Sequence, residues 1–362
     1  MVDFLEPNLI KYTLIALCGS FLLTFYLIPK IIKVVNHKEL MDHPNERSAH
    51  QRFTPTFGGI SFYIVLVLML FFLGKHVDEG NLGLNIIGAV TILLFTGLKD
   101  DLVVISNTSK LIGQISAIGV FLFLTDYTTI NFFGGFGIDG INGFFGFGFL
   151  LILMLSIINS FNLIDGIDGL AASIGVVTLL FFGILFYRLE EIFFCVICFS
   201  MVGALIAFLR FNFSRDKKIF MGDTGSLIIG FIVSVMAVHF LNLSTIEYEK
   251  VFVLPHNAIF VLIALIIFPT FDMARVFILR IFKKKNPLVA DKNHTHHVLL
   301  ELGNSHTKSS FLIVICSVFV SISLFLVAKE VENSWLLLGI YMLTFLSFYA
   351  AFIKFASEKD IK

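Results

Sequence analysis

The chain has 362 residues, of which 57% are hydrophobic, 15% aromatic and only 14% charged, and its mean hydropathy is +0.93. A chain this apolar cannot close its surface against water, which excludes a soluble globule and makes lipid the solvent. Lysine plus arginine and aspartate plus glutamate both number 26, so charge offers no case for nucleic acid and none is expected as a partner.

A bilayer core of about 30 Å is crossed by roughly 20 apolar residues in helical form. Runs of this kind are predicted at 9–29, 58–74, 82–98, 111–124, 146–162, 169–187, 191–209, 226–243, 256–274, 311–328 and 334–353. With no fixed-period repeat, this reads as an all-α polytopic membrane protein of about 11 transmembrane helices forming a single domain, 1–362. The runs at 58–74, 82–98 and 111–124 fall short of a full span, which tilt, local thinning or helical extension into the loops would accommodate. Met1–Asn8 carries acids and no basic stretch ahead of the first run, so that run is expected to stay rather than be cleaved. If the N-terminus lies outside, the loops near 30–57, 99–110, 163–168, 210–225, 275–310 and the tail from Lys354 share one face. They hold every basic residue except Lys11, Lys75, Arg188, Lys250 and Lys329. The positive-inside bias makes that face cytoplasmic, giving N-out and C-in.

The polar motifs follow in chain order on that face. Asp42 to Gly59 reads D-H-P-N-E-R-S-A-H-Q-R-F-T-P-T-F-G-G, in which Arg47, His50 and Arg52 suit phosphate, although topology alone would also collect cations there. Pro55 and Gly58–Gly59 predict a shaped turn. Asp100 and Asp101 then end one run and Lys110 opens the next. Adjacent acids at a membrane boundary repel each other and lose hydration, so they persist more easily when a cation or protonation relieves them; a solvated helix end is the plainer alternative. The Gly- and Phe-rich tract from Tyr127 to Gly148, on the other side, predicts a hairpin or re-entrant turn, and 244–255 reads as a connector.

N-S-F-N-L-I-D-G-I-D-G-L places Asn159, Asn162, Asp165 and Asp168 at spacings of three, which a helix would gather on one face. Gly166 and Gly169 argue instead for a break, where carboxylates and freed backbone line a wet cavity. Cys195 and Cys198 lie inside an apolar run and read as packing rather than metal or redox chemistry. Asp223 sits between Gly222 and Gly225 just before a span, a turn that aims backbone N–H groups at an anion while the carboxylate holds a metal; capping by Thr224 or Ser226 is the bland alternative. Last come Lys283 to Lys285 and H-T-H-H, with His294, His296 and His297. Zinc is disfavoured, because H-x-H-H lacks an i, i+4 pair and no cysteine stands nearby; phosphate binding fits better.

Acids, amides and cations gathered on one face describe a site for an anionic, metal-bound ligand. Magnesium, with manganese as a substitute, suits oxygen donors plus substrate phosphates. The five motifs, in order, resemble the polyprenyl-phosphate N-acetylhexosamine-1-phosphate transferase family. The resemblance covers most of the chain except the last two spans. It implies a magnesium-dependent exchange in which undecaprenyl or another polyprenyl phosphate attacks the β-phosphorus of a UDP-N-acetylhexosamine, releasing UMP at the cytoplasmic face of a bacterial inner membrane. Carried over, it makes Asn162 and Asp223 metal ligands, has Asp100 position or deprotonate the lipid phosphate with Asp101 beside it, and sets Lys110, His294, His296 and His297 on the diphosphate. Asp165, Asp168 and Phe220 would face the uridine, Phe220 by stacking, while Arg47 and His50 belong to the same pocket.

The chain departs from the H-x-x-K-x-G-T-P-T-M-G-G style of the phospho-MurNAc-pentapeptide enzymes, which favours the UDP-GlcNAc branch; that translocase is the alternative within the family. The stretch from Asn212 to Asp223 is one residue longer than usual, so no role is carried over to Asn212. An ion-coupled transporter is the alternative from another class, but it would spread polar residues toward the midplane. A homodimer is compatible with the sequence.

Overall fold

A computed structural model describes residues 7–38, 41–42, 54–77, 80–125, 127–282, 295, 299–300 and 303–357. The described residues are helical nearly throughout: α1 Pro7–His37, α2 Gly59–Val77, α3 Leu82–Val103, α4 Asn107–Thr125, α5 Gly143–Ile164, α6 Leu170–Leu189, α7 Ile192–Asn212, α8 Gly222–Leu241, α9 Thr245–Lys250, α10 Ala258–Leu265, α11 Ile267–Phe282, α12 His306–Glu330 and α13 Ser334–Ser357. Among the described residues, eight of these helices are long and apolar enough to cross a membrane, nine if a bent pair is counted as one, and two further apolar helices are shorter. All eleven predicted runs are therefore helical, but their ends differ. Backbone polar groups in lipid must be satisfied internally, so helices continue past the apolar residues: α3 runs through Asp100 and Asp101 to Val103, and α4 starts at Asn107.

The run at 256–274 departs most from expectation. It breaks at Ile266, and the two halves lie 77° apart. Pro269 has no N–H to give the Leu265 carbonyl four residues earlier, and its ring crowds that oxygen. The freed carbonyl accepts instead from Thr178 Oγ1 of α6, at 3.3 Å.

Among the described residues, two short antiparallel pairs join the helices. Met41–Asp42 pairs with Thr54–Pro55. Ile130–Asn131 pairs with Gly140–Ile141, which is the hairpin expected of the glycine-rich tract. The connector at 244–255 carries a helical turn with a capping box, Ser244 and Glu247 exchanging bonds.

Helix α8 stands at the centre. Its sequence is apolar on every side, which suits a helix enclosed by others, and 94% of its apolar window is buried. It packs against α2, α3, α5, α6 and α10. Its N-terminal end, where Asp223 lies, shares one side of the bundle with the C-terminal ends of α3 and α5 and the N-terminal end of α4.

Candidate active site

The first turn of α8 is built by segments far apart in sequence. Phe220 N–H donates to Pro55 O at 2.7 Å, while Gly58 N–H and Gly59 N–H donate to Phe220 O and Met221 O, each at 2.9 Å. This strand-like exchange ties T-P-T-F-G-G to I-F-M-G-D. Glycine is required where the strands meet. Gly222 has φ +70°, and a methyl there would collide with Thr56 O and the Asp101 carboxylate. A methyl at Gly97 would come within 2.5 Å of the Thr224 α-carbon.

Asp101 closes the turn. Its Oδ1 accepts from Asp223 N–H at 2.8 Å, and its Oδ2 accepts from Thr224 N–H at 3.1 Å and Thr224 Oγ1 at 2.7 Å. The residue before α8, Met221, offers no side-chain cap, so an acid from α3 supplies it and complements the helix dipole. Asp223 is thereby aimed by Asp101.

Lys110 is the focus of the cluster. Its Nζ lies 3.0 Å from Asn162 Oδ1, 3.1 Å from Asp100 Oδ2 and 2.8 Å from Asp223 Oδ2. Asn162 Nδ2 donates to Asp223 Oδ1 and, at 2.9 Å, to Ser226 Oγ. Asp100 is oriented by Ile105 N–H, which donates to its Oδ1 at 2.9 Å. Two carboxylates and one ammonium leave a negative balance, and Asp223 keeps 29% of its side chain exposed, enough for a ligand to reach it. One turn deeper, Gln114 and Asn159 exchange amide hydrogen bonds of 3.3 and 3.1 Å, so α4 and α5 are joined by two polar rungs.

A second cluster adjoins the first. Helix α5 ends at Ile164, and Gly169 turns the chain with φ +75°, so the expected glycine break removes Asp165 and Asp168 from the helical face that Asn159 and Asn162 share. Asp168 pairs with Lys218 Nζ at 2.6 Å, and that ammonium stands 5.2 Å from the centre of the Phe220 ring. His306 Nδ1 is 3.9 Å from the Asp168 carboxylate, and Ser310 Oγ donates to the Asp168 carbonyl at 2.6 Å. Asp165 lies between the clusters. Burial and the charges of Asp223, Asp101 and Asp168 push its carboxyl well above the ordinary carboxylate range.

Asp100, Asp101, Lys110, Asn162 and Asp223 thus come together, with Asp165, Asp168 and Phe220 alongside. Arg47, His50, His294, His296 and His297 lie outside the described residues. Among the described residues, no group of three or more His, Cys, Asp or Glu is arranged to hold a metal, so the oxygens at Lys110 offer a partial donor set. Cys195 and Cys198 are buried, as packing requires. The motifs did not reveal Gln114, Lys218 or His306. An amide inside an apolar run, at Gln114, was the signal available.

A sequence model described as glycosyl transferase family 4 matches residues 84–241. The chain is 28% identical over 336 residues to an undecaprenyl-phosphate alpha-N-acetylglucosaminyl 1-phosphate transferase of Escherichia coli O157:H7, covering 91% of this chain and 88% of that one. It is 30% identical over 291 residues to a decaprenyl-phosphate N-acetylglucosaminephosphotransferase of Mycolicibacterium smegmatis, covering 75% of this chain and 71% of the relative. The chain belongs to glycosyl transferase family 4. A probable undecaprenyl-phosphate N-acetylglucosaminyl 1-phosphate transferase of Bacillus subtilis is 27% identical over 307 residues, 83% of this chain and 81% of that protein.

The segment matched by the family 4 model holds the whole Lys110 cluster and Asp168. It omits the Pro55–Gly59 strand that fixes Gly222, and it omits Ser310. In this family 4 chain the site therefore draws its framework from outside the matched segment.

Proposed function

We propose that the chain transfers N-acetylglucosamine 1-phosphate, or a related N-acetylhexosamine 1-phosphate, from its UDP-linked donor to undecaprenyl phosphate, releasing UMP and starting a cell-envelope polysaccharide. The observation that carries this reading is the convergence of Asp100, Asp223 and Asn162 oxygens on Lys110 at one end of the bundle. A transporter would place such groups near mid-membrane, and the named relatives are transferases.

The donor chemistry fits magnesium. Two carboxylates and an amide are hard oxygen donors with no thiolate among them, and so small a set leaves positions for water and substrate phosphates. Asp223 and Asn162 would hold the ion, with manganese as the substitute, and when bound it supplies positive charge to the diphosphate oxygens. The remaining work is positioning. Asp100 orients the lipid phosphate or takes its proton, and Lys110 balances charge on the diphosphate. One lipid phosphate oxygen bonds to the β-phosphorus, the bond from that phosphorus to the bridging oxygen breaks, and UMP leaves with the electron pair. Phe220 stacks the uracil beside Asp165 and Asp168, while His294, His296, His297, Arg47 and His50 serve the phosphates.

The same reading sets about eleven crossings, counting the bent pair once and the two shorter helices, with the N-terminus outside and the site at the cytoplasmic face of a bacterial membrane. The test is a reconstitution. Purified protein with UDP-GlcNAc, undecaprenyl phosphate and magnesium should release UMP and form the lipid diphosphate sugar, and EDTA should stop both. No UMP from any UDP-N-acetylhexosamine would overturn the reaction; undiminished turnover in EDTA would overturn the metal.

A further inference from the structure

Helix α3 turns one narrow face away from the bundle. Leu84, Gly88, Phe95, Lys99 and Leu102 recur on it at helical spacing and all are exposed. In a helix long and apolar enough to cross a membrane such a stripe faces lipid, and from Leu84 to Leu102 it measures about 27 Å, close to the thickness of a hydrocarbon core. The stripe does not stop at the acids. Asp100 and Asp101 lie about 100° and 200° around the helix from Lys99 and face the Lys110 and Asp223 cluster. Leu102 then brings the apolar face back, and Val103 and Val104 extend it, 70% and 91% exposed. Three consecutive exposed apolar residues are unfavourable against water. Ser106, Asn107, Thr108 and Ser109 follow, polar and exposed, so the connection from α3 to α4 has an apolar side and a wet side. Its apolar tip is tied to the site: Ile105 N–H, next to Val104, donates to Asp100 Oδ1 at 2.9 Å, and Asp100 Oδ2 is 3.1 Å from Lys110 Nζ.

We propose that Leu102, Val103 and Val104 form an anchor seated at the acyl–headgroup boundary of the leaflet on the Asp223 side, with the Lys99 ammonium on the phosphates of anionic phospholipid. The occupant follows from continuity. The tip prolongs a face that lipid already covers, and a stripe that fills the hydrocarbon thickness by Leu102 leaves the next residues at its border. Lys99 lies on the same face within one turn of that border, so its stem runs along apolar surface while its charge reaches the headgroups. Asp100, bonded to the tip through Ile105, is thereby held near the level of the lipid phosphates. What that depth is for rests on the transferase reading, in which Asp100 meets a lipid phosphate; the anchor itself does not.

The experiment uses the full-length purified protein in nanodiscs of phosphatidylcholine and phosphatidylglycerol. The chain has one tryptophan, so Trp335→Phe gives a dark background that receives either Val104→Trp or Ser109→Trp, both at exposed positions that tolerate a larger side chain. Phospholipid brominated on its acyl chains should quench Val104→Trp, while aqueous iodide should quench Ser109→Trp and spare Val104→Trp. Bromine carried by phosphatidylglycerol should quench Val104→Trp more than bromine carried by phosphatidylcholine, and Lys99→Gln should abolish that preference. In turnover, Val104→Asp should raise KM for undecaprenyl phosphate about tenfold, with kcat and KM for UDP-GlcNAc within about twofold of the parent. Iodide quenching of Val104→Trp as strong as that of Ser109→Trp, with bromolipid silent, overturns the anchor. Equal quenching by the two brominated lipids overturns the part given to Lys99, and an unchanged KM for the lipid in Val104→Asp overturns the link to Asp100. The quenching needs no turnover, so a parent that makes no UMP overturns the transferase reading and leaves the anchor standing.

Discussion

Both ends of α8 are polar, yet they are finished differently. At the N-terminal end, oxygens of Asp100, Asp223 and Asn162 surround the Lys110 ammonium, and Asp223 remains partly open. At the C-terminal end, His239 lies flat on Phe194, with ring centres 3.5 Å apart, and Phe186 flanks it. Tyr127 OH meets His239 Nδ1 at 3.0 Å, and Glu191 is 3.7 Å from Nε2. Burial beside Glu191 pushes the Tyr127 phenol up to about 12. Aromatic rings pack the second cluster, whereas in the first three oxygens face one ammonium; the two are about equally open, with Glu191 27% and Asp223 29% exposed. What separates the two ends is how many oxygens converge on one charged group and not how open that group is.

The largest break in this comparison should come from Asp223→Ala. It removes one of two proposed metal ligands and should cut turnover on the order of 10³-fold; measured UMP release within tenfold of the parent would dissolve the distinction. Lys110→Met strands two carboxylates against each other and should cost about 10²-fold in kcat/KM, read in the same assay. The opposite end should respond in another currency. His239→Phe strands the Tyr127 hydroxyl and should lower stability by about 1–3 kcal/mol while turnover holds within about twofold; a large activity loss at an unchanged melting temperature would show both ends to be functional.

The smallest effect sharpens the contrast within the site. A carboxyl whose pKa is raised by folding binds more protons folded than unfolded across the interval between its two values, so stability falls as pH rises through it. For Asp165 that loss begins near pH 4, the unfolded range, and is complete above the raised folded value. Asp165→Asn cannot ionise, so its melting midpoint should exceed the parent's by about 2 °C near pH 8 and match it near pH 4. A constant offset at both pH values would show that ionisation is not the cause.

The spanning helices were legible because lipid makes apolar length the dominant signal. Their ends were not, because nothing in L-K-D-D-L-V says that the helix runs on through both acids. The run at 256–274 read as one span although it contains Pro269, and which carbonyl would be rescued, and by Thr178, depended on the neighbouring helix. At the site, motif reading brought Asp100, Lys110, Asn162 and Asp223 into one place. It missed that Asp101 caps α8 in trans, that Gln114 doubles the Lys110 rung and that Lys218 neutralises Asp168. Each of these is a contact between segments 45 or more residues apart, fixed by packing rather than by local pattern.

The pairing of Pro55–Gly59 with Phe220–Met221 also orders biosynthesis. Asp101, Lys110 and Asn162 leave the ribosome before Asp223 does, and the turn that presents Asp223 needs a template made some 160 residues earlier. Four of the five helices that enclose α8, namely α2, α3, α5 and α6, precede it in the chain, so a nascent chain halted before Gly222 already carries most of the receptacle but not its key.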